Sequence, residues 1–168
     1  MIFPQLYLSD IIFGGIDGII TSSSIISGVY SLGMSQNNKT IIVLGLANLI
    51  SGGFSGGYSR YICSQTEVEQ GLVKEKNSRK SAMYAGASYI FFGSLLFVPF
   101  MYYTGIEAFK ISFAILMSSL FFIGYVKAIV LKKEDRIKCG ARYMITGVLV
   151  SLLSFKISRH IMETNIIK

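Results

Sequence analysis

Apolar residues arrive in long blocks separated by short polar stretches. Five blocks stand out, at residues 11–33, 40–63, 81–103, 108–131 and 141–157. Each is near the roughly 20 residues that a helix needs to cross the hydrocarbon core of a bilayer. The spacing therefore predicts five membrane-spanning helices and an all-α integral membrane protein, one domain over residues 1–168. The connection at residues 64–80 is polar and mixed in charge, and it extends the second helix into solvent until Gly71 and Asn77 interrupt it. Residues Met34–Lys39 form a polar turn with Asn37-Asn38 as its signal.

Composition agrees with lipid burial. Apolar residues make up 52% of the 168 residues, charged residues only 15%, and the mean hydropathy is +0.56. A soluble domain carries about 25% charged residues. The net charge of +7 does not point to nucleic acid, because the basic residues gather between the apolar blocks. Lys74, Lys76, Arg79 and Lys80 crowd the second connection, and Lys127, Lys132, Lys133, Arg136 and Lys138 the fourth. The first has only Lys39, and the third Lys110 beside Glu107. By the positive-inside rule the second and fourth connections are cytosolic, which puts the N-terminus in the cytosol. No basic n-region precedes the first block, so no cleavable signal peptide is expected. Cys63 and Cys139 are too few for a disulfide framework or a thiolate metal site. No phosphate-binding glycine motif and no Ser/His/Asp arrangement appears, so an enzyme is not expected.

The first block holds the chemistry. Asp17 lies well inside it and Asp10 near its start, seven residues or about two turns apart and so on one face. An aspartate at bilayer depth costs roughly 2.5–3.5 kcal/mol on insertion scales, which makes it a functional-site candidate in search of a partner. Gly14, Gly18, Ser22 and Ser23 flank that face with small side chains that admit another helix. Asp10 also fits a structural role, since a carboxylate at a helix start complements the dipole. Gly52/Gly56 and Gly53/Gly57 repeat small residues at close-packing spacing, within the chain or across a homodimer with a pathway at or near its interface. His160, past the last block, reads as a solvated tail position. The scattered methionines read as packing, and Tyr30, Tyr61, Tyr102 and Tyr103 as interfacial belts.

The run Asp10-Ile-Ile-Phe-Gly-Gly-Ile-Asp17-Gly, with its Ser/Thr-rich continuation to Gly28, resembles the first helix of the vacuolar iron transporter family. Ala47-Asn-Leu-Ile-Ser-Gly-Gly-Phe-Ser55, then Tyr61 and Glu67, resembles its second-helix signature, in which Ala-Asn-Leu leads to Asp-Gly, Ser-Met and Gly-Glu-Tyr. Ala82, Ala85-Gly86, Ser88-Tyr89, Gly93-Ser94 and Pro99 match the third helix in style, and Gly124 and Lys127 the end of the fourth. The resemblance implies a five-helix homodimer in a vacuolar or other endomembrane. It implies export of ferrous iron, and often manganese, from the cytosol in exchange for protons. Fe2+ or Mn2+ is then cargo, with no permanently bound cofactor. Many members insert a cytosolic metal-gathering domain between the second and third helices. The short connection here resembles nodulin-like members, and Glu67, Glu69 and Glu75 read either as a remnant acidic collar or as a solvated helix extension.

The departures from the family matter as much. Gly52 stands at the Asp of Asp-Gly, Gly56 at the Met of Ser-Met, and Arg60 at the Glu of Gly-Glu-Tyr. Counting depth from the first turn places Gly56 level with Asp17, and Arg60 between the levels of Asp17 and Asp10. A guanidinium there pairs with one or both carboxylates, because a buried charge needs a partner. The expected pathway is Asp10, Asp17, Ser55 and Arg60, with Asp17, Asp10, Glu67 and Glu69 as metal ligands. An oxygen-only set with Thr21 and backbone carbonyls favours manganese-like ions. Three functions follow from these residues: a proton-coupled divalent metal exporter, a transport-deficient scaffold or regulator, and a pore or carrier for another cation.

Overall fold

The computed structural model describes residues 3–31, 33, 38–73, 76–132 and 135–164. Among them the chain forms helices α1 (Phe3–Ser31), α2 (Asn38–Glu69), α3 (Ser78–Leu95), α4 (Pro99–Tyr102), α5 (Gly105–Leu131) and α6 (Arg136–Glu163), and no strand. Five stretches are long and apolar enough to span a membrane: Leu6–Ser31, Asn38–Glu69, Ser78–Tyr102, Gly105–Leu131 and Arg136–Glu163. The fold is all-helical and polytopic, as the block pattern predicts.

The helix ends follow local chemistry. Asn77 caps α3 by accepting from the backbone N–H groups of Arg79 and Lys80 at 3.1 and 3.3 Å, and Asp135 caps α6 through Ile137 N at 3.1 Å. Past α2, Gly71 takes φ +71°, and Leu72 N returns to Glu67 O at 3.0 Å, closing a Schellman turn that needs glycine's left-handed freedom. The connection expected at 64–80 therefore divides: helix through Glu69, a short turn, and a capped restart at Ser78. Met34–Asn37 and Glu75 lie outside the described residues. Pro99 lacks the N–H that a continuing helix requires, so the third span breaks there into α3 and the one-turn α4. The Asn38 amide donates to the Phe100 and Tyr103 carbonyls at 2.8 and 2.7 Å, fastening the start of α2 to that break.

Helix α1 is the centre of the bundle, packed against α2, α3, α5 and α6. Its glycine face lets α3 approach until the Ala85 and Tyr89 carbonyls stand where Cβ atoms of Gly14 and Gly18 would project. On the opposite flank Ser23 meets Ser151 at 2.9 Å and Ser24 meets Ser154 at 3.1 Å, tying α1 to α6. Such hydroxyl pairs hold helices where lipid supplies no hydrophobic drive for their association. Ile19, Ile26, Leu49, Leu96, Phe100, Leu116 and Leu120 fill the core. Apolar side chains such as Val43, Phe54 and Met83 face outward, 63–76% exposed, which suits a lipid surrounding.

Candidate ion pathway

At the end where α1 starts and α2 finishes, two acids and two bases meet. Asp10 is fully buried on α1. Arg60 Nε donates to Asp10 Oδ1, and Lys76 Nζ reaches the same oxygen at 3.2 Å. Arg60 Nη1 donates to Glu67 Oε1 at 2.9 Å, and Lys76 Nζ lies 3.4 Å from Glu67 Oε2. Arg60 and Glu67 are seven residues apart and therefore on one face of α2. Lys76 folds in from the connection with only 4% of its side chain exposed. The quartet is formally neutral and each cation bridges both carboxylates, the arrangement that makes buried charge tolerable. Among the described residues, Asp10 Oδ2 and the hydroxyls of Ser64 and Ser81 are buried without hydrogen-bond partners.

Asp17 is treated differently. It is half-buried, and among the described residues its carboxylate makes no hydrogen bond or ion pair. Only its carbonyl is engaged, accepting from Thr21 Oγ1 at 2.7 Å. Arg60 thus pairs with Asp10 and Glu67 and leaves Asp17 alone, because those two carboxylates, which Lys76 shares, satisfy the guanidinium at the helix ends. The two aspartates that share a face by spacing are separated in chemistry: one is neutralised, the other bare.

The remaining expected residues disperse. Ser55 is exposed and donates to Gly52 O at 3.3 Å on its own helix. Glu69 is exposed at the end of α2, whereas Glu67 belongs to the quartet rather than to a solvated extension. No group of three acid, histidine or cysteine side chains stands close enough to share an ion among the described residues. Gly53 and Gly57 pack within the chain, against Ile90, Gly86 and Ala82 of α3. Around Gly56, a Cβ would meet nothing within 4 Å.

Sequence reasoning missed Tyr89 and Lys76 as partners. Tyr89, 2% exposed, comes from α3 and carries its ring between α1 and α2. Its hydroxyl lies 2.8 Å from Thr21 Oγ1 and 3.3 Å from Asn48 Oδ1. The phenol end occupies the space that a side chain at Gly52 would need. This contact sets Gly52 level with Thr21, and one turn back along α1 and forward along the antiparallel α2 brings Gly56 level with Asp17. The signal available in the sequence was weak: a tyrosine deep inside an apolar block needs a partner for its hydroxyl.

A polytopic helical membrane protein with an ionisable residue at mid-span has the form of a transporter or channel. A family model, the VIT family, matches residues 8–79 and 65–159. The chain belongs to the VIT family. It is similar to a vacuolar iron transporter of Plasmodium berghei (strain Anka), 36% identical over 70 residues that cover 42% of this chain and 25% of that protein. A vacuolar iron transporter of Plasmodium falciparum (isolate 3D7) is 36% identical over 69 residues, 41% of this chain and 24% of the relative. One of Toxoplasma gondii (strain ATCC 50861 / VEG) is 31% identical over 63 residues, 38% and 20% respectively. The matched stretch thus spans a quarter or less of these relatives. Family and relatives together make the chain a multi-pass membrane protein of a metal-transporter family.

Proposed function

We propose that this chain moves divalent iron or manganese from the cytosol to a vacuole-like lumen or the outside in exchange for protons, as a homodimer. The observation that carries the reading is the bare Asp17 carboxylate, held at mid-span without a partner among the described residues while Asp10 is neutralised by Arg60 and Lys76. A carboxylate in that surrounding holds either a cation or a proton, since the bare charge is costly there. Alternating between the two is antiport. Oxygen donors without a thioether favour the harder ions, manganese above all. The exposed apolar face of α2 and the open space at Gly56 suit the approach of a second copy alongside Asp17.

A second reading has its own support. The quartet fills the mouth with the protein's own cations, and Tyr89 fills the notch of Gly52. Both features fit a member that no longer transports and serves as a membrane scaffold or regulator. Proteoliposomes with an acidic interior separate the two. Manganese or ferrous iron uptake that requires the pH gradient and disappears in Asp17→Asn supports antiport. Absence of flux in both chains gives the second reading.

A further inference from the structure

A groove of about 550 Å³ runs between α2 and α3 on the outside of the bundle. That volume lies within the roughly 300–1,000 Å³ of small-molecule sites. The groove exists because both helices carry small residues where they meet. Gly53, Gly57 and Gly86 are buried along its floor, and a Cβ on Gly57 would stand 3.1 Å from the Ala82 carbonyl oxygen. Exposed Phe54 of α2 and exposed Met83 and Ile90 of α3 form its walls. The lining is almost wholly apolar except at the end where α2 finishes and α3 starts. There Arg79 lines the groove, exposed. Tyr61 reaches the same level, since Gly57 faces Ala82 and one turn forward along α2 and back along the antiparallel α3 brings Tyr61 beside Arg79. Among the described residues the Arg79 guanidinium makes no hydrogen bond or ion pair, and the Asn77 cap engages only its backbone N–H. Lys80, also exposed, adds positive charge at this end.

Eleven residues of α3 separate Arg79 from Ile90, about 16 Å of helix. One leaflet supplies about half of the ~30 Å hydrocarbon core. Groove and leaflet therefore match in length, with the guanidinium at headgroup level. We propose that the α2–α3 groove is a lipid site: one acyl chain of an anionic phospholipid lies along the glycine floor, and Arg79 holds its phosphate beside the interfacial Tyr61. A planar guanidinium suits phosphate, and basic pockets between membrane helices select anionic headgroups. The basic connections are expected on the cytosolic side, where anionic lipids collect. A second copy is the competing occupant, and helix geometry directs it elsewhere. Gly56, where a partner would approach Asp17, is two residues from Phe54 and so about 200° around α2. The site does not depend on the transport reading.

The test uses the full chain in vesicles, with phospholipids brominated on their acyl chains as quenchers. The chain has no tryptophan, so Phe54→Trp places a single reporter on the groove wall. Phe122→Trp, on the exposed face of α5, serves as the reporter outside it. Brominated phosphatidylglycerol is expected to compete for the groove about fivefold better than brominated phosphatidylcholine, the worth of one arginine at an anionic surface. At Phe122→Trp the two lipids should quench alike. Adding Arg79→Gln to the groove reporter should abolish the preference. Ala87→Phe, which fills the groove and leaves Arg79 in place, should do the same, and it decides if Arg79→Gln fails to fold. Equal preference at both reporters would overturn the proposal, as would a preference that survives Arg79→Gln or Ala87→Phe. A groove reporter that neither lipid quenches, with cross-links between copies at Phe54, would overturn it in favour of a second copy.

Discussion

Arg60 donates to Asp10 from the neighbouring helix, joining a carboxylate that is fully buried to a guanidinium with 17% of its side chain exposed. A pair so placed adds little by forming, because desolvation consumes most of its attraction, but removing one member strands the other. Lys76 remains on Asp10 when Arg60 is lost, so the charge is not wholly abandoned. Arg60→Gln is expected to cost about 2 kcal/mol, below the 3–5 kcal/mol typical of a fully stranded partner. The double variant Asp10→Asn/Arg60→Gln is expected to recover part of that loss. Unfolding midpoints of the four chains in one detergent form the cycle that measures the coupling, and strictly additive losses would show that the pair is not an interacting unit.

Arg60→Glu has a sharper consequence. It places a third carboxylate beside Asp10 and Glu67 with only Lys76 to offset them. Three carboxylates gathered around buried oxygens are a divalent-cation site in waiting. The variant is expected to be less stable than the parent without metal and to regain at least half of that loss in millimolar Mn2+. The same Mn2+ addition should raise the parent's unfolding temperature by much less, since there Arg60 and Lys76 hold the carboxylates of Asp10 and Glu67 and leave only Asp17 to the ion. A thermal melt with and without Mn2+ reads both, and equal responses would contradict the assignment of the quartet.

Much of this architecture was legible in the pattern of apolar blocks, because membrane helices must satisfy every backbone group internally and so declare their length. The break at Pro99 and the restart capped by Asn77 follow from one residue each. What composition could not show was partnership. Depth counting placed Arg60 between Asp10 and Asp17 but could not choose, since the choice depends on Lys76 folding back from a connection whose path the sequence does not state. Tyr89 was invisible for a related reason: Gly52 reads as an absence on α2, and only packing reveals that α3 fills it. Helix existence is a local property, whereas ion pairing and notch filling are properties of three helices at once.

Glycines of equal composition should respond very differently to one methyl group. A Cβ at Gly18 would lie 2.9 Å from the Tyr89 Cα and closer still to its carbonyl oxygen, all backbone atoms that cannot swing aside. Gly18→Ala is therefore expected to push α1 from α3 and cost about 2–3 kcal/mol, in the upper range of overpacking. Gly56→Ala, which meets nothing within 4 Å, is expected to change stability by less than about 0.5 kcal/mol or to raise it slightly, since alanine is the better helix former. Comparable losses at both sites would show that another surface covers Gly56 in the assembled protein, a second copy being the first to test by cross-linking.

Asp17 and Asp10 offer the same contrast for charge. Asp17 has no protein partner among the described residues, so Asp17→Asn removes a membrane charge without stranding another. Its unfolding temperature should equal or exceed the parent's, while uptake into acid-loaded vesicles should fall to background. Asp10→Asn leaves Arg60 and Lys76 facing one another with Glu67 as their only shared acid, and it should lower stability by about 1–3 kcal/mol. Stability assays and flux assays should thus rank the two variants in opposite orders if Asp17 serves the ion and Asp10 serves the fold. A large stability loss in Asp17→Asn would instead reveal a partner from a second copy and move Asp17 into the structural class.

The two cysteines report which way the bundle sits. Cys63 is exposed near the end of α2, and Cys139 is buried on α6 against α5, where a Cβ on Gly124 would stand 2.9 Å from its carbonyl oxygen. A thiol reacts as the accessible thiolate, so Cys63 should label with a membrane-impermeant maleimide and Cys139 only after denaturation. The basic connections that follow α2 and α5 are expected on the cytosolic side. In sealed vesicles oriented with the cytosolic face outward, more than half of Cys63 should therefore label from outside without detergent, and Cys63→Ser should abolish the signal. Labelling that needs the opposite orientation would invert the topology, and with it the direction in which Asp17 would carry an ion.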